Sequence, residues 1–178
     1  MIKVLFVCLG NICRSPEAEA SFRALLARHG LDGRILVDSA ATSSMQIGKA
    51  PDPRAQAVAR QRGLDLAGLR ARQVQQADFH SFDHILAMDR ANLEDLRAIR
   101  PPAARARVGL FLEGAEGTGC GDVADPYLEH GLSAFEQMFD RIEAGCSGLL
   151  GWLGREHPEL LGRVRAKPAP ADAAERRW

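Results

Sequence analysis

Val4-Leu5-Phe6-Val7-Cys8-Leu9-Gly10-Asn11-Ile12-Cys13-Arg14-Ser15-Pro16 is the stretch that decides the architecture. Its first half is a short, unbroken apolar run, the pattern of a strand buried on both faces. The run stops at Cys8, and an amphipathic pattern with Ala18, Phe22, Leu25, Leu26 and His29 at helical spacing follows Ser15. A tight loop therefore separates a strand from a helix. Gly10 and Asn11 tolerate positive φ, so consecutive N–H groups can curl toward one point. Ser15 is expected to cap the helix and Pro16 to occupy its first position, which sets that point at a helix N-terminus, where oxyanions are favoured. Cys8 opens this cradle and Arg14 closes it. The N–H groups, the helix dipole and the guanidinium together favour a nucleophilic sulfur. The planar fork of Arg14 matches two oxygens of a phosphoryl group. A buried cysteine that merely ends a core strand is the bland alternative.

The remaining chain reads outward from this loop as one domain. Strands are expected at Arg34 to Asp38, Phe82 to Met88 and Val108 to Leu112. Ser39 to Met45 reads as a loop of small residues. Helices are expected from Pro16 to His29, after an Asp52-Pro53 start, after an Asp89 cap, and from a Ser133/Glu136 capping box to about Arg155. Arg70 to His80 is polar and irregular, with room for one helical turn. The last helix carries the apolar stripe Phe135, Met138, Phe139, Ile142, Cys146, Leu149, Leu150 and Leu153. Strand, crossover helix and strand make parallel pairs, so the expected fold is α/β: a single domain, a four-stranded parallel sheet with helices on both faces, and a phosphate-binding loop after the first strand. Residues 1–156 form the predicted domain. Residues 157–178, rich in Ala and Pro, are expected to be a weakly ordered extension.

Composition limits the partners. With 23 Lys plus Arg against 23 Asp plus Glu, the formal charge is zero, so no overall field argues for nucleic acid or an anionic membrane. No leader pattern or spanning apolar stretch is seen, and a cytoplasmic location is expected. Cysteines 8, 13, 120 and 146 include no CxxC pair, no Cys/His cluster suggests a metal, and a disulfide framework is not expected. His29, His84 and His130 stand isolated. Arg97, Arg100, Arg105 and Arg107 read as a solvated connection.

One further triplet carries chemistry. Asp125-Pro126-Tyr127 lies in a long glycine-rich stretch; alone it is a turn signal. Beside a phosphoryl-binding cysteine, its carboxyl can protonate a leaving oxygen, and Tyr127 can wall the cleft against an aromatic group.

Cysteine, five residues, then Arg-Ser is the loop of cysteine-based phosphatases, and Cys8 to Pro16 resembles the low-molecular-weight protein tyrosine phosphatases. The likeness runs from Ile2 to about Leu153 and takes in Ser39-Ala40, Pro51 to Ala55, Ala71-Arg72-Gln73 and Met88-Asp89. It implies hydrolysis of phosphotyrosine in proteins through a phosphocysteine, with no cofactor. Cys8, Arg14 and Asp125 would be catalytic. Leu9, Gly10, Asn11, Ile12, Cys13 and Ser15 would hold phosphate or a similar oxyanion, and Met45 and Tyr127 would face the substrate. By the same resemblance Asn11 and Ser39 share a hydrogen-bond network. Two departures stand out: Met45 replaces a common Trp or Tyr, and no histidine stands near Gly68 and Leu69. Arsenate reductases and protein-arginine phosphatases share the loop, but the former need further cysteines in reach and the latter tend to have Thr at Ile12. A phosphocysteine carrier without turnover would have no use for Asp125. Cys13, inside the same curl as Cys8, makes the site a candidate for redox control.

Overall fold

The computed structural model describes residues 1–113, 115 and 121–161; the readings on Cys120 and on the tail beyond residue 161 lie outside these. Four strands, β1 (Ile2–Cys8), β2 (Ile35–Ala41), β3 (His84–Ala87) and β4 (Arg107–Leu110), form one parallel sheet in the order β2-β1-β3-β4. The apolar run of β1 is explained by its central place. Val4, Phe6 and Cys8 join the core beneath α1 (Arg14–Arg28), α2 (Pro53–Gln61) and α5 (Ser133–Glu156). Leu5 and Val7 point the other way, to a smaller core with α3 (Asp78–Ser81) and α4 (Arg90–Ile99). Alternate side chains face opposite layers, as the strand period requires. Phe6 anchors the larger layer by edge-to-face contacts with Phe22 at 5.9 Å and Phe111 at 5.2 Å.

The register puts Cys8 opposite Ala41, at the carboxyl end of both strands. In open α/β sheets ligands bind at that end. β2 is longer than the sequence indicates, because Ser39, Ala40 and Ala41 pair with Phe6, Val7 and Cys8. Small residues with little strand preference are recruited by a partner strand, a tertiary effect. β4 begins earlier than expected and ends before Phe111, which enters a turn.

The helix starts divide into two groups. Asp52 accepts from the Arg54 N–H and Asp89 from the Asn92 N–H, so both expected caps form. Ser15 does not cap α1: the helix begins at Arg14, leaving Ser15 and Pro16 within its first turn, and no side chain caps Cys13. Pro16 fits there because the first four N–H groups need no intrahelical partner. Ser133 does not cap α5 either; Leu132 is the N-cap and its carbonyl accepts from the Glu136 N–H. Beyond α5, a helical turn α6 (Pro158–Leu161) lies in what the sequence marks as the extension, and Arg34 holds it by a 2.8 Å bond from Nη1 to the Leu160 carbonyl. Among the described residues no helix is long and apolar enough to cross a membrane.

Candidate active site

Chain geometry brings the loop to its shape. The Leu9 and Cys8 carbonyls accept from Ser43 and Thr42 N–H groups, and the Ile12 carbonyl accepts from the Asp52 N–H at 2.8 Å. Of the two residues that tolerate positive φ only Asn11 adopts it, at 54°. At Gly10 the constraint is space instead: a Cβ there would stand 3.3 Å from Gln46 Cγ, a close contact that the glutamine side chain would have to yield to.

Asn11 and Ser15 lie behind the loop and brace it. Asn11 Nδ2 donates to Ser15 Oγ and to Ser39 Oγ, both at 2.9 Å, and its Oδ1 accepts from the Arg72 N–H at 3.0 Å. Ser39 Oγ in turn donates to Glu19 Oε2 at 2.6 Å. The brace is therefore complete without a histidine near Gly68 and Leu69. Sequence reasoning misses Glu19, whose only signal is its position one helical turn after Ser15. Burial pushes its carboxyl pKa upward against the pull of the Ser39 bond and of Arg23. Ser15 Oγ lies 3.1 Å from Cys8 Sγ, and the Asn11 N–H donates to the same sulfur at 3.2 Å.

Arg14 is 2% exposed and held on three sides. Nη1 donates to Asp89 and to the Val123 carbonyl, and Nη2 to Asp125 Oδ2 at 2.6 Å. Burial works against its charge, but Cys8, Asp125 and Asp89 outweigh that and raise its pKa. Its Nε is buried with no protein acceptor. Asp89, expected from the sequence as a helix cap and as part of the family likeness, thus does double duty, capping α4 and holding Arg14. Asp125 Oδ1 accepts from the Tyr127 N–H at 3.1 Å, the Asx-type turn that Asp-Pro favours.

The cleft beside the loop has a volume of about 420 Å³, and Cys8, Cys13, Arg14, Met45, Asp125 and Tyr127 line it. Leu9, Gly10 and Ile12 complete its loop side. Met45, 74% exposed, and Leu128, 86% exposed, stand at its rim. Cys13 remains a thiol: burial first, then the charges of Asp52, Cys8 and Asp125, drive its pKa far up. A second groove of about 490 Å³ also has Asp125 in its wall, and among the described residues no cysteine lines it.

Nucleophilic sulfur, buried guanidinium and carboxyl converge on one cleft at the end of a parallel sheet, the arrangement of a cysteine-dependent hydrolase of phosphate esters. The model of the low molecular weight phosphotyrosine protein phosphatases matches residues 3–159, and the chain belongs to that family. It is 42% identical over 156 residues to the low molecular weight protein-tyrosine-phosphatase YfkJ of Bacillus subtilis, covering 88% of this chain and 98% of that one. The crystal structure of YfkJ superposes with a TM-score of 0.81, covering 88% of this chain and 96% of that chain. The Drosophila arginine phosphatase is 33% identical, with a TM-score of 0.78 over 84% of this chain and 96% of that one. Wzb from Vibrio vulnificus in complex with benzylphosphonate is 30% identical, with a TM-score of 0.72 over 86% of this chain and 98% of that one.

Proposed function

We propose that the protein hydrolyses phosphotyrosine in protein substrates through a phosphocysteine intermediate. The observation that carries this reading is the convergence of Cys8, Arg14 and Asp125, with the Arg14 to Asp125 bond joining residues 111 positions apart. Cys8 Sγ attacks phosphorus in line, forming the S–P bond as the P–O bond to the leaving group breaks. Arg14 and the loop N–H groups hold the phosphoryl oxygens, and the buried Nε of Arg14 supplies a donor that no protein group uses. A phosphoryl group that takes over Nη2 frees the Asp125 carboxyl to face the leaving oxygen and give it a proton. Asp125 then takes a proton from the water that attacks phosphorus, the S–P bond breaks, and inorganic phosphate leaves. Ser15 and the Asn11 N–H stabilise the sulfur as nucleophile and as leaving group. The apolar walls Tyr127, Met45 and Leu9 suit an aromatic ring, and the benzylphosphonate complex of Wzb supports an aryl-like ligand in such a cleft.

Cys8→Ser is expected to abolish turnover while inorganic phosphate still binds. Asp125→Ala is expected to slow phenyl phosphate by roughly 10²- to 10⁴-fold, the usual worth of a general acid, and nitrophenyl phosphate much less. Equal losses on the two esters would remove Asp125 from the acid role. Turnover of phosphoarginine peptides in preference to phosphotyrosine peptides would replace the substrate assignment.

A further inference from the structure

Arg54 stands outside the reacting groups, at the start of α2, yet its side chain links the two loops of the site, bonding the Asp125 loop directly and reaching the Cys8 loop through Asp52. Its Nε and Nη2 grip the Asp52 carboxylate at 3.0 and 2.9 Å, a bidentate pair. From there Nη2 donates to the Tyr127 carbonyl at 3.0 Å and Nη1 to the Glu129 carbonyl at 2.8 Å. The guanidinium also lies 4.5 Å from the Phe135 ring centroid and 5.9 Å from that of Tyr127. Asp52, the anchor of this fork, is itself fixed to the phosphate loop by its N–H bond to the Ile12 carbonyl. A continuous path thus runs from Ile12 through Asp52 and Arg54 to the two carbonyls that flank Leu128. Those carbonyls belong to the turn that begins at Pro126, where the Glu129 N–H meets the Pro126 carbonyl at 3.0 Å. Asp125 is the residue just before that turn, and its Oδ1 is tied to the Tyr127 N–H.

We infer that Arg54 is a positioning residue for Asp125, holding the general-acid loop in register with the Cys8 loop. The inference rests on the general-acid reading of Asp125. Only a guanidinium fits the role, because four oxygen acceptors in three directions are met from one planar fork, which an ammonium group cannot reproduce. Fixing the turn matters for rate because proton transfer needs the carboxyl within hydrogen-bond reach of the leaving oxygen, and a misplacement of about 1 Å can cost about 10²-fold. Cys8, Arg14 and their brace make no bond to Arg54, so its loss should act on the Asp125 loop far more than on nucleophilic attack or oxyanion binding.

The test is leaving-group selectivity. Arg54→Ala should lower kcat on phenyl phosphate by about 10²-fold, lower it far less on nitrophenyl phosphate, and leave inhibition by inorganic phosphate unchanged. The Arg54→Ala/Asp125→Ala double variant should be no slower than Asp125→Ala alone. Arg54→Lys keeps the charge beside Asp52 but meets fewer carbonyls; it should fall between wild type and Arg54→Ala, and it carries the same comparison if the alanine variant does not fold. Equal losses on the two esters, a phosphate-binding defect with kcat intact, or additive losses in the double variant would overturn the role of Arg54. If Asp125→Ala itself shows no selectivity for poor leaving groups, the acid assignment fails and this inference falls with it. If Asp125→Ala is selective and Arg54→Ala is not, Arg54 alone loses its role.

Discussion

Cys8 and Cys13 line one cleft and are both free, yet their surroundings set them apart. Cys8 accepts the Asn11 N–H, whereas burial and nearby negative charges keep Cys13 a thiol. Peroxide should therefore oxidise Cys8 first, to a sulfenic acid. The Cys13 thiol would then displace hydroxide from that sulfur, giving a disulfide and water. Because thiolate is the attacking form, a thiol held protonated resolves slowly at neutral pH and faster as pH rises. Wild-type activity lost to peroxide is expected to return with a thiol reductant, and Cys13→Ser should be active before oxidation but recover poorly after it. Mass spectrometry that finds Cys8 only as sulfinic or sulfonic acid, with no Cys8–Cys13 linkage, would end this account. At this scale the residues legible in the sequence are those whose chemistry is local: Cys8, Asn11, Arg14 and the Asp125 turn. Glu19, Asp89 and Arg54 matter through partners far along the chain, and no single-sequence spacing encodes the bonds from Ser39 to Glu19, from Arg14 to Asp89, or from Arg54 to Tyr127.

Among the elements, α5 shows what periodicity does and does not reveal. Seven of the eight residues on its expected stripe are buried, Leu150 being only half-buried, because a 3.6-residue repeat reports which face meets the core. The repeat says nothing of glycines on that face. A Cβ at Gly145 would stand 2.6 Å from Phe111 Cζ, and one at Gly148 would stand 2.8 Å from the Ala115 backbone. These positions let the segment after β4 lie directly on the helix. Alanine normally gains about 1 kcal/mol over glycine inside a helix. At Gly148 the clash is with backbone, and overpacking of about 1–3 kcal/mol should outweigh that gain. Gly151 is exposed, and a Cβ there would stand 3.7 Å from the Arg155 side chain, an ordinary contact, so Gly151→Ala should keep the gain. Urea unfolding of the two variants should move the midpoint down for Gly148→Ala and up for Gly151→Ala; a Gly148→Ala variant as stable as wild type would mean that the segment yields freely. The same limit explains the strands. The apolar centre of the sheet was legible as a pattern, whereas the carboxyl end of β2 exists only because β1 lies beside it.

For the molecule as a whole, formal net charge is zero, so its stability should follow a few buried groups across pH more than general repulsion. His84 is 4% exposed, set edge-on to Trp152 at 5.1 Å, and burial lowers its pKa against Asp83 and Glu156, with Arg107 and His157 adding to the lowering. Its stabilising share is present above the ordinary histidine value and is lost as pH falls through the folded one. Glu17 acts at the other end of the range. It is fully buried between α1 and α5, bonded to Ser21 Oγ at 2.8 Å, with its second oxygen unpartnered. Burial first, then Glu143, push its pKa up to about 8, against Ser21 and Arg62. Below about 4.5 the side chain is protonated in both folded and unfolded chains and costs nothing. Between 4.5 and 8 the unfolded chain loses the proton while the folded one keeps it, so stability falls with rising pH, by at most about 1.4 kcal/mol for each pH unit. Above 8 both forms are ionised and the slope from this group ends. Glu17→Gln keeps an oxygen for Ser21 and removes the titration. Its Tm should match wild type below about pH 4, exceed it by a margin that widens to about pH 8, and hold a constant lead beyond. Melting both proteins in one buffer series from pH 4 to 9 makes the comparison, and a lead that does not change with pH would show that Glu17 titrates alike in the folded and unfolded chains.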